Sequence, residues 1–464
     1  MVRPPEAFLI RENAARARRD GKAFTFVCLA EYTGLGGVVM KTLRLGSVGP
    51  DVEAAQLALT RAGFPAAVDG IYGARTAAAA RDFQRASSLE PDGIVGKATW
   101  RRLTDYLRGY VLYTVKNGDT YYKLAERYGT SAGMIETANP QLEAERLPVG
   151  AQLVIPLGFS LVPENVRFTS ELTGFICEGL RARYPFVASR SYGVSALGRR
   201  LRLLTIGEGG KEAFYNAAHH ANEWITVPVL LKFAEQYAAA VADGGEIFGY
   251  GARELFERVT LYIAPMVNPD GVDLVTGAIA AGDAGFDGAK KIAEGFPDVA
   301  FPKGWKANIE GTDLNLNYPA EWERAREIKY AQGFTRPAPR DFVGTSALSA
   351  RESRAVYNLT REHDFALTLS YHSQGEIIYW KFLDYLPPRS LEIGRRLSEV
   401  SGYLLEETPY ASGFAGYKDW FIQRYNRPGY TIEVGRGRSP LPLSQFDGIY
   451  RDNLGILALC MALI

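Results

Sequence analysis

Residues 213–224 read Ala-Phe-Tyr-Asn-Ala-Ala-His-His-Ala-Asn-Glu-Trp, an apolar run that leads into a His-x-x-Glu motif. The apolar run predicts a buried strand, and the amphipathic segment from Thr226 to Tyr237 predicts a helix. The motif is therefore expected on a strand-to-helix loop, where α/β folds tend to bind ligands. His220 and Glu223 stand three positions apart, so both side chains can reach one metal ion.

The alternation of strand and helix patterns continues through residues 160–464. Apolar runs typical of buried strands occupy residues 201–206, 213–218, 260–264, 366–371, 377–380 and 430–434. Helical patterns lie between them at residues 170–183, 226–241, 350–363 and 390–401. We therefore predict one large α/β domain over residues 160–464, with a mostly buried, mixed sheet.

Composition limits the function classes. The chain has 464 residues, which is long enough for about two to four domains. Its net charge of +1 gives no sign of nucleic-acid binding. Cys28, Cys177 and Cys460 lie far apart, which predicts buried or incidental thiols and not a disulfide framework or a metal site. No apolar run is long enough to cross a bilayer.

A second histidine can complete a metal site. His372 ends the apolar run 365–371, so its side chain would project from the edge of a sheet. With His220 and Glu223 it makes a His₂Glu set, which catalytic zinc uses with a fourth position left for water. A His-x-x-Glu motif alone is more often structural, so the prediction depends on all three residues. His219 lacks the three-residue spacing to Glu223 and is expected to support the site or face the surface.

Glu433 stands inside the apolar run 430–434. A carboxylate in a buried strand is costly unless it is used. We expect Glu433 to act as the general base beside a metal-bound water, taking its proton and passing it to the leaving amine. The alternative is a salt-bridged acid with a structural role in the core.

An internal repeat marks the first module, predicted over residues 40–108. Asp-Gly-Ile-x-Gly occurs at residues 69–73 and 92–96, and each copy is followed by a threonine, Thr76 or Thr99. The Asp-Gly pair predicts a tight turn, and the threonine suits a helix N-cap. With the start at residues 43–47 and Phe83-Gln84, this stretch resembles the peptidoglycan-binding domain 1 family, which implies a small helical wall-binding domain.

A second small module is predicted over residues 112–157. Tyr113-Thr114-Val115 opens it, an Asn-Gly-Asp-Thr turn follows at residues 117–120, and Leu-Val-Ile-Pro closes it at residues 153–156. The pattern predicts β-α-α-β in under fifty residues. With Asn139-Pro140, the stretch resembles a LysM domain from end to end. That resemblance implies binding to glycans that contain N-acetylglucosamine.

The large domain resembles the zinc carboxypeptidase family. The resemblance rests on five motifs in the family's order, at residues 220–225, 267–271, 311–315 and 370–373 and in the strand of Glu433. It implies that His220, Glu223 and His372 bind one Zn²⁺ and that Glu433 is the base. It also implies a central mixed sheet of eight strands flanked by helices.

Two departures from the family pattern affect the expected substrate. An arginine that clamps a terminal carboxylate follows the family's counterpart of Asn315, but this chain has Leu316, which cannot form that bidentate pair. Lys306 stands where the family has an oxyanion-stabilising arginine, and it keeps the charge without the fork. Tyr410 matches the family's mobile tyrosine cap, so it is expected to bind substrate together with Asn315. A packing role for Tyr410 is the alternative.

With the two wall-directed modules, these departures resemble the γ-D-glutamyl-L-diamino acid endopeptidases of spore-forming bacteria. That group cleaves the bond between D-glutamate and meso-diaminopimelate in stem peptides, so the expected partner is peptidoglycan. The alternatives are a D,L- or L,D-carboxypeptidase on stem peptides, and a wall-binding protein with an inactive peptidase domain. Arg436 and Arg438 alternate with glycines after the catalytic strand, and we expect one of them to bind a substrate carboxylate.

Residues 1–39 are predicted to be a leader, either disordered or a start-site extension before Met40. A basic stretch at residues 16–22 precedes a short apolar run that Glu31 and Tyr32 interrupt. This order does not make a convincing signal peptide. The expected location is therefore cytoplasmic or spore-associated, with action on the cell wall. The sequence leaves the oligomeric state open.

Overall fold

The computed structural model describes residues 40–464, so the predicted leader and Cys28 lie outside the described residues. The first module contains α1 (Pro50–Arg61), α2 (Ala74–Ala86) and α3 (Lys97–Arg108). The second contains β1 (Tyr110–Thr114), α4 (Tyr121–Tyr128), α5 (Ala132–Ala138) and β2 (Gln152–Pro156). Because β1 and β2 pair antiparallel, the predicted β-α-α-β order is confirmed.

A buried glutamine holds each turn of the helical repeat. Gln56 Nε2 donates hydrogen bonds to Asp69 Oδ1, the Ile71 carbonyl and Thr76 Oγ1 at 2.8–3.0 Å. Gln84 makes the corresponding three bonds in the second copy. The expectation that the repeated threonines cap their helices is wrong. Each threonine lies inside the first turn of its helix, and a glycine occupies the N-cap. The threonine hydroxyl accepts a hydrogen bond from the glutamine side chain instead.

The large domain is built on one mixed sheet and a small ribbon. Its strands are β3 (Val187–Val194), β4 (Arg200–Ile206), β5 (Lys211–Ala217), β6 (Glu246–Ile247), β7 (Tyr250–Gly251), β8 (Val259–Ala264), β9 (Phe365–His372), β10 (Ile377–Tyr379), β11 (Leu404–Glu406) and β12 (Gly429–Glu433). The ribbon is β6 with β7, and the other eight strands form the sheet in the order β11-β10-β12-β9-β5-β8-β4-β3. The predicted mixed eight-stranded sheet is confirmed.

Helices cover this sheet. They are α6 (Ser170–Arg183), α7 (Thr226–Asp243), α8 (Ala252–Arg258), α9 (Pro269–Thr276), α10 (Phe286–Ala293), α11 (Trp322–Ala331), α12 (Arg351–Glu362), α13 (Ser390–Ser401), α14 (Tyr417–Tyr425) and α15 (Phe446–Leu463). Cys177 on α6 and Cys460 on α15 are buried free thiols, as predicted. Within residues 40–464, no helix has both the length and the apolar character needed to span a bilayer.

The direction of the central strands determines where the functional side chains meet. The four neighbours β12, β9, β5 and β8 run parallel to one another. Their carboxyl ends therefore lie at one edge of the sheet, the edge at which open α/β sheets bind ligands. Glu433 ends β12, His372 ends β9, and His220 follows β5, so three side chains predicted from separate motifs arrive at this edge together.

The two small modules are docked on the large domain through a buried junction. Arg183, at the end of α6, is 4% exposed and donates hydrogen bonds to the carbonyls of Gly109 and Leu157 at 3.2 and 2.7 Å. Glu235 on α7 lies 3.7 Å from this guanidinium and accepts backbone N–H groups of the connecting segment, including that of Val162 at 3.1 Å. The segment that connects the second module to the large domain is therefore held in place on both sides.

We expect Arg183→Met to lower the free energy of unfolding by about 3 kcal/mol, because it leaves two buried carbonyls and a buried carboxylate without their cation. Urea unfolding followed by far-UV circular dichroism measures this loss. The exposed ion pair of Arg85 with Asp82 supplies the control, since Arg85→Met should change stability by less than about 0.5 kcal/mol. Equal effects of the two substitutions would show that the junction does not stabilise the fold.

Candidate active site

Three predicted ligands converge at the carboxyl edge of the sheet. After β5 the chain turns at His220 into a single 3₁₀ turn, 221–223, which brings Glu223 back beside it. His220 Nδ1 lies 3.0 Å from Glu223 Oε1, and His372 Nδ1 lies 3.0 Å from Glu223 Oε2. The two Nδ1 atoms are 3.2 Å apart. Among the described residues, these three form a group whose ligand atoms all lie within 4.8 Å of one another.

The chemistry of this group fits zinc. Two imidazole nitrogens and a carboxylate face each other with lone pairs, an arrangement that needs a cation or protons between them. Around a tetrahedral zinc with bonds of about 2.0–2.1 Å, neighbouring ligand atoms stand roughly 3.4 Å apart, close to the separations between these atoms. When bound, zinc supplies a Lewis acid and lowers the pKa of its water to about 7.

Asp313 holds the outer nitrogen of His220. His220 Nε2 lies 3.2 Å from Asp313 Oδ1, and Asp313 also accepts the backbone N–H groups of Asn315 and Asp341. Burial raises the pKa of Asp313, but His220, the positive charge of Lys306 and the hydrogen bond from the Asp341 N–H outweigh it, so the pKa falls well below its usual value. An ionised carboxylate here fixes the His220 tautomer with Nδ1 free for the metal. Asp313 lies within the family motif at residues 311–315, but no role was predicted for it from the sequence.

We expect Asp313→Asn to weaken zinc binding by about 10–100-fold, because an amide no longer fixes the tautomer or the charge at His220. Competition with a fluorescent chelator measures the dissociation constant. Asp341→Asn is the matched control: Asp341 lies in the same cleft but pairs with Lys329 at 2.7 Å and not with a ligand. An unchanged zinc affinity in Asp313→Asn would remove this residue from the metal site.

Glu433 stands next to His372 in the sheet, because the two residues are register partners on the parallel strands β12 and β9. Burial, followed by the negative charge of Glu223, raises the pKa of Glu433 to about 8. A bound divalent cation would lower this pKa again. A carboxylate whose pKa can move through neutrality can both take up and release a proton, as the predicted base requires.

Lys306 and His219 complete the surroundings of the ligands. Lys306 Nζ lies 3.1 Å from Glu223 Oε1, and burial of this ammonium is offset by Glu223 and Asp313, so its pKa is raised. A persistent positive charge beside the metal ligands suits the predicted oxyanion role. His219 is fully buried, its Nε2 lies 2.9 Å from Tyr318 Oη, and its ring stacks on that of His372, so it supports the site from behind.

The predicted substrate residues divide between the cleft and its surroundings. A cleft of ≈ 840 Å³, counting its open mouth, is lined by His220, Lys306 and Glu433 and also by Asn315 and Leu316. Asn315 Oδ1 accepts the backbone N–H of Tyr417 at 3.0 Å. Leu316 is 7% exposed and packs in an apolar cluster, so this wall presents a hydrocarbon side chain to the cleft.

Tyr410, Arg436 and Arg438 are not among the residues that line this cleft. Tyr410 is 59% exposed, and its hydroxyl accepts a hydrogen bond from Arg324 at 2.8 Å. Arg436 Nε donates a hydrogen bond to Glu376 at 2.7 Å, and neither residue lines the cleft, so the contact of Arg436 with a substrate carboxylate stays a prediction. The cations that line the cleft beside Lys306 are Lys329, Arg340 and Lys418, which sequence reasoning did not select.

Comparisons with known proteins agree with this geometry. Residues 176–455, which include every ligand described above, match the zinc carboxypeptidase family. The chain belongs to the zinc carboxypeptidase family. The chain is a metallopeptidase, and it also matches a peptidoglycan binding domain at residues 48–103 and a LysM domain at residues 113–156.

Two curated proteins and one solved structure are similar to this chain. This chain is 43% identical over 277 residues to γ-D-glutamyl-L-diamino acid endopeptidase 1 of Lysinibacillus sphaericus, covering 60% of this chain and 68% of that protein. It is 26% identical over 292 residues to carboxypeptidase B of Bos taurus, covering 58% and 64%. Bovine thrombin-activatable fibrinolysis inhibitor, solved with a tick carboxypeptidase inhibitor, shares the fold, with a TM-score of 0.50, 18% identity, and coverage of 64% of this chain and 97% of that chain.

Proposed function

We propose that this metallopeptidase hydrolyses the bond between γ-D-glutamate and meso-diaminopimelate in peptidoglycan stem peptides. The observation that carries the proposal is the 43% identity to a γ-D-glutamyl-L-diamino acid endopeptidase. Two further features support it. The two domains that match peptidoglycan binding and LysM families would bring the enzyme to the cell wall. Leu316 lines the cleft, and its hydrocarbon side chain does not bind a carboxylate, so a substrate does not need a free terminal carboxylate at that position.

The chain's own residues have defined tasks in this reaction. Glu433 takes a proton from the attacking water, which adds to the γ-carbonyl carbon of D-glutamate. Lys306 donates a hydrogen bond to the oxygen that becomes negative as the carbonyl carbon turns tetrahedral. Glu433 then returns the proton to the amine of the diamino acid as the C–N bond breaks. Asp313 holds His220 in position throughout.

A stem-peptide carboxypeptidase is the second candidate, because Arg340 lines the same cleft. Its side chain is 46% exposed and lies beside Asp341. A guanidinium in this position can bind a carboxylate with two parallel hydrogen bonds. If Arg340 holds a free terminal carboxylate, the enzyme would remove single residues from the end of the stem.

Product analysis separates the two activities. Purified muropeptides with tri-, tetra- and pentapeptide stems are incubated with the zinc-loaded enzyme, and the products are weighed by mass spectrometry. The endopeptidase releases a fragment that contains the diamino acid, whereas a carboxypeptidase releases one terminal residue. Loss of activity with a chelator and recovery with zinc must accompany either result. Intact substrate in every reaction would support the wall-binding role without catalysis.

A further inference from the structure

A buried ion pair of opposite charges lines the cleft but has no task in the hydrolysis. Lys418 and Asp419 lie at the start of α14 and are 4% and 3% exposed. Lys418 Nζ lies 2.6 Å from Asp419 Oδ1. Both residues line the same cleft as His220 and Glu433. Because burying two charges costs several kcal/mol per ion, we looked for a function that this pair could have.

The hydrogen bonds of this pair are incomplete. Lys418 Nζ donates to the Lys381 carbonyl at 2.8 Å, but its contact with Thr408 Oγ1 is long, at 3.4 Å. Asp419 Oδ2 accepts the backbone N–H of Gly416 at 3.2 Å. Asp419 Oδ1 has the ammonium nearby as an ion-pair partner but no donor in hydrogen-bonding geometry. Asp419 Oδ1 and the Lys418 ammonium can therefore each form one more hydrogen bond, with a ligand.

A second buried pair in the cleft differs in this respect. Lys329 is 6% exposed and lies 2.7 Å from Asp341 Oδ1. The other carboxylate oxygen of Asp341 pairs with Arg340. Both oxygens of this carboxylate are therefore engaged by cations of the protein. The Lys329 pair is a structural element of the cleft wall, and it provides a matched control for Lys418.

A pair of opposite charges complements a ligand group that also carries both charges. The side chain of meso-diaminopimelate ends in a carbon that bears an ammonium and a carboxylate, whereas the side chain of L-lysine ends in an ammonium alone. Lys418 attracts the distal carboxylate but repels a lone ammonium. Because the contact lies in a cleft partly shielded from water, both the attraction and the repulsion are stronger than at the surface.

We propose that Lys418 binds the distal carboxylate of diaminopimelate and that Asp419 accepts a hydrogen bond from its distal ammonium. This contact makes the enzyme selective for diaminopimelate over lysine as the diamino acid of the stem. The inference rests on the proposed function and adds to it the residues that recognise the leaving diamino acid.

The test uses the full-length, zinc-loaded enzyme and two matched peptides, L-Ala-γ-D-Glu-meso-diaminopimelate and L-Ala-γ-D-Glu-L-Lys. We expect Lys418→Met to lower kcat/KM for the diaminopimelate peptide at least tenfold and to leave that for the lysine peptide unchanged or higher. A merely structural role would lower both values together. A diaminopimelate peptide with its distal carboxylate amidated should be a poor substrate of the unaltered enzyme and insensitive to Lys418→Met.

Lys329→Met should leave the ratio of the two kcat/KM values within about twofold of the unaltered enzyme. If Lys418→Met fails to fold, the neutral pair Lys418→Met with Asp419→Asn replaces it, since the asparagine oxygen can still accept the Gly416 N–H. A selectivity ratio unchanged within twofold in the folded variant would overturn the proposal.

Binding separates this inference from the proposed function. Calorimetric titration of the Glu433→Gln variant with both peptides reports recognition whether or not the γ-D-glutamyl bond is cleaved. If neither peptide is cleaved but Glu433→Gln prefers the diaminopimelate peptide and loses that preference with Lys418→Met, the proposed bond is wrong and the recognition site stands. If Glu433→Gln binds both peptides equally, the recognition site is wrong.

Discussion

Replacing Glu433 with glutamine is expected to lower kcat on a stem peptide by about 10³-fold or more, while zinc binding is retained. Glutamine keeps the size of the side chain but cannot take a proton from water or return it to the leaving amine, and such proton transfer typically contributes about 10²–10⁴-fold. Glu433 ends β12 beside His372 and is not one of the three clustered ligands. Single-turnover kinetics with mass-spectrometric detection measures the loss.

The zinc content of the variant decides how this loss is interpreted. One zinc per chain in Glu433→Gln, measured by atomic emission, shows that the metal site is intact and that the lost step is chemical. Glu376→Gln is a useful comparison, because Glu376 pairs with Arg436 outside the cleft and should leave kcat within about twofold. If Glu433→Gln retains a tenth or more of the original kcat, another group is the base.

Removing the imidazole of His372 is expected to abolish both zinc retention and activity. His372 is 1% exposed and its Nδ1 faces Glu223 and His220, so alanine leaves two ligands in place of three. After treatment with a chelator and addition of zinc, the unaltered enzyme should recover its activity. His372→Ala should stay at least 10³-fold less active under the same conditions, with less than one-tenth of a zinc per chain.

His363 provides the matched histidine control. Its Nδ1 lies 3.1 Å from Glu212, and its Nε2 lies 3.4 Å from the Arg190 guanidinium, away from the clustered ligands. His363→Asn should bind one zinc per chain and retain activity within about twofold. A His372→Ala protein that keeps a full equivalent of zinc would contradict the assignment of the metal site.

Secondary structure was predicted best where one apolar period continues over a whole element. Helices α6 and α13 have the predicted bounds, Ser170–Arg183 and Ser390–Ser401. The edge strand β3 and the short strand β11 were not predicted, because they are largely exposed and lack a continuous apolar run. The second half of helix α15, residues 454–463, has no polar side chain, so that part of the pattern shows no polar face from which a helix could be recognised.

Some residues of the candidate site could be predicted from the sequence and others could not. His220, Glu223, His372 and Glu433 could be chosen from the sequence, because each ends or follows an apolar run that forms a strand. Asp313 could not be ranked, since its importance comes from a 3.2 Å contact with a histidine far away in the chain. Lys418 could not be recognised either, because in the sequence it is an ordinary charged position on a helix. In the folded chain it is buried and donates a hydrogen bond to the carbonyl of Lys381, which lies far away in the sequence.

By itself, the sequence determined the local units of this protein: two small modules, an α/β domain and a set of residue types suited to zinc. Local patterns suffice for this because turns, caps and apolar periodicity act between residues close in the chain. Only the tertiary structure decided which charges share the cleft, that Arg436 lies outside it, and that Arg183 fastens the small modules to the large domain. These features depend on contacts between distant segments, and the parallel order of β12, β9 and β5 brings such segments together.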